Sequence, residues 1–125
     1  MKIAKFAFAA VVVAGGIVAA FAFKTPAPKF AAGWYTYKLS ATGAVADVTD
    51  PKNYQYFGTT EPTQQTPDIN LHAINVVASE VYTSGSNIGL PKVDIAGSLK
   101  NDILNATGLD GSNVAELPGR VDLKP

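Results

Sequence analysis

The stretch "WYTYKLSATGAVADVTDPKNYQYFGT", residues 34–59, holds the single Trp and four of the five Tyr of a 125-residue chain. Its alternation decides the fold. Tyr35, Tyr37 and Leu39 fall on one side of an extended segment, and Trp34, Thr36 and Lys38 on the other. Aromatic and β-branched residues suit a pleated surface, so a strand is predicted from residue 34. Thr42-Gly43 supplies a turn, and "AVADVT", 44–49, is expected to return as a second strand with Ala44, Ala46 and Val48 on one face. "DPKN", 50–53, has Asp50 and Pro51 where a type I turn wants them. "NYQYFGT", 53–59, alternates again and puts Tyr54 and Tyr56 together. Rings on neighbouring strands then pair, each pair contributing roughly 0.2–1 kcal/mol.

Beyond this stretch, "TTEPTQQTPD" (59–68) carries two prolines among small polar residues and reads as a loop. "INLHAINVVASEVY" (69–82) mixes two periodicities; its β-branched content favours a strand over 71–78. "TSGSNIGLP" (83–91) is a second loop. "VDIAGSLKNDILNATGLDG" (93–111) is the best helix: Asp94 can cap it, Ile95, Leu99 and Ile103 recur every four residues beside Leu104, and Gly108 sits where a left-handed C-terminal residue belongs. Gly97 weakens it by about 1 kcal/mol relative to Ala. "SNVAELPGRVDLKP" (112–125) is expected to be irregular. The predicted fold class is α+β: a small antiparallel β meander of three to four strands with one C-terminal helix, loop-rich.

The other end of the chain is of a different kind. "MKIAK" carries two lysines, and the 18 residues from Phe6 to Phe23 have no charged or polar side chain. A basic start, an apolar run and the small-x-small site Ala20-Phe21-Ala22 describe an export signal, so residues 1–22 are expected to be a signal peptide cleaved after Ala22. The rival reading is an uncleaved anchor through residues 6–23: as a helix this run extends about 27 Å, near the lower limit for a bilayer core. Gly15-Gly16 weakens that helix. Residues 23–33 read as a linker, with Pro26 and Pro28 favouring an extended spacer. Residues 34–125 then form one small domain.

Composition narrows the function. Without the leader the chain keeps eight Lys and Arg against ten Asp and Glu, a formal charge near −2, with no basic cluster, which argues against nucleic-acid binding. There is no cysteine, so neither a disulfide framework nor a bacterial lipid anchor is available. Phe, Leu, Ile and Val number 24 in residues 23–125, enough for a thin core, while nine Gly and eight Pro call for many loops.

"DPKNYQYFGTTEPT" (50–63) followed by "LHAINV" (71–76) resembles a pattern in short exported proteins of Bacteroidetes bacteria: an aromatic W-x-Y start, a D-P-x-N-Y turn, then P-T-C and, soon after, C-A-I. The likeness covers roughly residues 34–76. It implies export and a bacterial envelope setting, and it brings no assigned activity. This chain departs from the pattern at both cysteines, where it carries Gln64 and His72.

Few residues point to chemistry. The lone histidine, His72, falls within a predicted strand, which leaves too few ligands for zinc and no Ser-His-Asp arrangement. Asp47, Asp50 and Glu61 read as turn caps and solubilising charges. "LDGSN" (109–113) has the oxygens of a calcium loop but not its further acidic positions, and Asx-turn chemistry accounts for it. "NAT" (105–107) fits the N-glycosylation spacing, and "LPGR" (117–120) lacks the rest of a wall-sorting signal. No cofactor is implied. Trp34, Tyr35, Tyr37, Tyr54 and Tyr56 remain as candidate binding residues, able to stack on sugar rings if one set is exposed, or else to pack a small core. The expected function is therefore a non-enzymatic exported protein with a structural or interaction role, periplasmic or secreted, touching the membrane only through its leader and able to self-associate through open strand edges. The alternative is a small carbohydrate- or peptide-binding module using the aromatic face.

Overall fold

In the computed structural model the described residues are 32–64 and 68–125. The expected signal peptide, and all but the last two residues of the expected linker, lie outside them. Four strands form one antiparallel sheet: β1 (Gly33–Tyr37), β2 (Tyr54–Gly58), β3 (Asn70–Val76) and β4 (Val121–Lys124), in the order β2-β1-β3-β4. A single turn of helix, α1 (Val45–Val48), lies between β1 and β2, and the main helix, α2 (Ser98–Thr107), comes late in the chain. This is the small α+β class that the sequence predicts, with an antiparallel sheet and one C-terminal helix.

The tyrosines pair as their spacing demands. Tyr35 lies opposite Tyr56 and Tyr37 opposite Tyr54, with ring centres 5.3 and 5.4 Å apart. On the same face β3 adds Leu71, Ile74 and Val76, β4 adds Val121 and Leu123, and Leu99, Ile103 and Ala106 of α2 complete the core. Tyr54 is fully buried and donates its hydroxyl to the Val48 carbonyl at 2.6 Å, which ties α1 to the sheet.

Local assignments differ from the sequence reading in three places. Residues 45–48 are helical, not a second strand: Asp47 accepts from the Ala44 N–H at 2.8 Å and so closes one turn. Helix α2 starts at Ser98 with Gly97 in the capping position. Asp94 does not cap it but accepts from the Tyr82 hydroxyl at 2.7 Å. Finally, residues 121–124 form the fourth strand, where an irregular tail is expected. The DPKN segment is a 3-10 turn in which Asp50 accepts from the Lys52 N–H, the chemistry read from its sequence.

Strand order has a consequence for the second face of the sheet. β2 and β3 both run antiparallel to β1, on opposite sides of it, so they are parallel to each other. The end of β2 and the start of β3 therefore lie at opposite ends of β1. Pro62 in the connection between them is buried. So are Trp34, 4% exposed, and Ala73, although both project away from α2. The second face is thus buried at Trp34 and Ala73, while Gln55 on β2 stays exposed.

Candidate functional site

On the second face, Thr36, Ala73 and Asp122 stand in one cross-strand row. Val121 and Leu123 point into the core, so the residue between them points the other way. Between Leu71 and Ala73 strand β3 holds one residue more than β4, and that extra residue is His72. A bulge of this kind re-aims a side chain. Here it brings the His72 ring to Asp122, with Nδ1 2.8 Å from Oδ2. The Asp122 side chain has no exposed surface, while His72 keeps 18%.

Three further carboxyl groups act on Asp122. Glu116, in the turn before β4, is within hydrogen-bonding reach, and Glu61 and Asp68 from the β2–β3 connection add repulsion. Burial, with these groups, pushes the Asp122 carboxyl up to about 7. Burial and the nearby Lys124 hold His72 below its ordinary value. Glu116 also serves the backbone, where its Oε1 accepts the Leu123 N–H at 3.1 Å. An imidazole and two carboxyl groups are the parts of an acid–base apparatus, but the central one is sealed from solvent.

A second polar centre forms around Arg120 on the α2 side. Its Nε reaches Asp102 of α2 at 2.8 Å, Nη1 reaches the Asn75 carbonyl at 2.6 Å, and Nη1 and Nη2 fork onto Glu80 at 2.8 and 2.7 Å. Glu80 also accepts from the Val77 N–H and the Ser98 hydroxyl. The pair with Arg120 holds the Glu80 carboxyl below the usual carboxylate range. Beside it lies a cleft of about 240 Å³ lined by Glu80, Lys92, Ile95, Ser98 and Leu99. This is smaller than the roughly 300–1,000 Å³ of small-molecule sites, and its carboxylate is already engaged.

The residues singled out from the sequence are mostly structural. Trp34, Tyr35, Tyr37 and Tyr54 are all under 5% exposed: the three tyrosines belong to the core beneath α2, and Trp34 is buried on the second face. Tyr56 is half-buried, against Tyr35. Asp47, Asp50 and Asp110 accept backbone N–H groups within two or three residues of themselves, and Glu61 accepts from Gln64. "LPGR" is the tight turn that delivers Arg120. Among the described residues no group of three or more His, Asp or Glu side chains is arranged to hold a metal. The Asp122 and Arg120 centres were not visible in the sequence; the one trace is Val-Asp-Leu at 121–123, where the acid interrupts an apolar pair. No protein-family model matches the chain, nor does any curated protein in sequence or any solved structure in fold.

Proposed function

We propose that this chain is an exported, non-enzymatic protein of the bacterial envelope or its surroundings that works by contact, pairing through β2 with a second copy of itself. The observation that carries this reading is the difference between the two sheet edges. β4 is closed by its own chain: Leu117 bridges to Val121, and Glu116 takes the Leu123 N–H. Among the described residues β2 pairs with β1 alone. The Lys38 N–H donates to the Asn53 carbonyl, which sets the phase, so Gln55 turns its backbone groups to β1 and Tyr56 turns its own outward. At the bulge that follows, Phe57 is 54% exposed. An open edge with an exposed ring is a template for another strand. Two copies of β2, antiparallel across a two-fold axis at Tyr56, fulfil it symmetrically.

Sedimentation across a concentration series tests the contact. The wild-type chain is expected to dimerise, and Phe57→Lys to stay monomeric with an unchanged circular dichroism spectrum. A wild-type chain that remains monomeric to on the order of 1 mM sinks the reading, because weaker pairing falls outside useful affinity. The export half rests on the leader, and is checked separately by finding Phe23 as the first residue of the protein recovered from its host.

A further inference from the structure

We propose that Asp122, His72 and Glu116 form a proton-operated latch on β4: with one proton shared between the two carboxyl groups the outer edge of the strand is closed, and loss of that proton opens it. The latch does not depend on what β2 contacts.

The geometry poses the problem. Asp122 is buried at the centre of a four-residue strand, and His72 satisfies only its Oδ2. Oδ1 is buried with no hydrogen-bond partner among the described residues, although Glu116 is within reach. Two ionised carboxylates cannot bond, since both only accept. One proton resolves this. Placed on Oδ1 it is donated to Glu116, while the neutral His72 ring donates its Nδ1–H to Oδ2, and the orphan atom is satisfied. Glu116, held in this way, keeps Oε1 on the Leu123 N–H.

Removing the proton to water leaves a buried anion beside a second one. The groups around it come from every neighbouring segment: His72 from β3, Lys124 from β4 itself, Glu116 from the turn before β4, and Glu61 and Asp68 from the β2–β3 connection. Three of the five are carboxyl groups, so the balance opposes a second negative charge. Glu116 is half-exposed and has somewhere to go. When it turns to water it releases the Leu123 N–H, and the closed edge opens. The position of the Asp122 carboxyl at about 7 puts this change near neutrality.

Hydrogen exchange of the Leu123 amide in the full chain tests the latch, since exchange reports local opening. After correction for the intrinsic rise with pH, its protection is expected to be steady from pH 5 to 6.5 and to fall at least tenfold by pH 8.5. In Asp122→Asn, whose amide donates to Glu116 at every pH, it should hold within twofold. Protection that is flat in the wild type, or that falls equally in the variant, overturns the proposal. So does a carboxyl carbon titration of wild-type Asp122 centred near 4, a measurement that needs no variant.

Discussion

Arg120 and Glu80 meet through two parallel hydrogen bonds of 2.8 and 2.7 Å, across 40 residues of chain. The pair is four-fifths buried, with 21% and 17% of the side chains exposed. Around it the Asn75 carbonyl and Asp102 take two more guanidinium donors, so one side chain fastens β3, the 3-10 turn Ala78–Glu80, helix α2 and the turn before β4. Only a planar fork reaches all these acceptors at once.

Arg120→Ala should therefore cost more than a surface ion pair. Removing it leaves Glu80 partly buried without its partner, a change worth roughly 2–4 kcal/mol of stability when discounted for the exposed fraction. Arg120→Lys should recover less than half of that, because an ammonium cannot fork. Urea denaturation of the three proteins measures both. A loss below about 1 kcal/mol for the alanine variant would reduce the network to ordinary surface pairing.

The two glycines at the ends of α2 should respond in opposite ways. Gly108 closes the helix at φ 73°, and an added Cβ would meet the Ser112 carbonyl oxygen at 2.8 Å. Gly108→Ala is expected to cost about 1–2 kcal/mol from left-handed strain and that contact. Gly97 is extended, has open space around its Cα and gives the helix no side-chain cap. Gly97→Ser supplies a hydroxyl for the first turn and removes a flexible unfolded state, so it should gain a few tenths of a kcal/mol. Melting curves of both variants settle the signs; stabilisation by Gly108→Ala, or a loss at Gly97→Ser, would contradict this account of the caps.

These contrasts mark how far the sequence could be read. Tyr35, Tyr37, Tyr54 and Tyr56 announced a sheet because period-two spacing is a local property of the chain. Residues 44–49 misled because Ala-Val-Ala-Asp-Val fits one helical turn as well as a short strand, and tertiary context chooses. Both sides of β1 are taken, one by β2 and the other by β3, which begins more than thirty residues after β1 ends. Burial of Trp34 was equally hidden, since alternation assigns a residue to a face and does not say whether that face is covered. Asp122 and Arg120 acquire their roles only when distant segments meet, and a four-residue strand at the end of the chain gives too short a pattern to announce itself.

Asp122 also links the stability of the fold to pH. Asp122 keeps its proton up to about 7 in the folded protein, whereas in the unfolded chain it loses it near the ordinary carboxylate value of about 4. Between these limits the native state binds the extra proton, so Asp122's contribution to stability falls as pH rises and is smallest above 7. His72 acts in the other sense. Its folded value is lowered, so below about 6.5 the unfolded chain binds the proton more readily, and stability rises with pH through that window. The wild-type curve therefore mixes two slopes. Comparing His72→Asn with and without Asp122→Asn removes the His72 slope, which would not cancel otherwise because His72 bonds to Asp122, along with every group that the second substitution leaves alone. The difference should decline steadily from pH 4 to 7, by on the order of a few kcal/mol, and then level off. Chemical denaturation at six or more pH values supplies both curves. A difference that is flat across the range, or that rises with pH, would mean that Asp122 is ionised in its burial site and that its neighbours stabilise the charge.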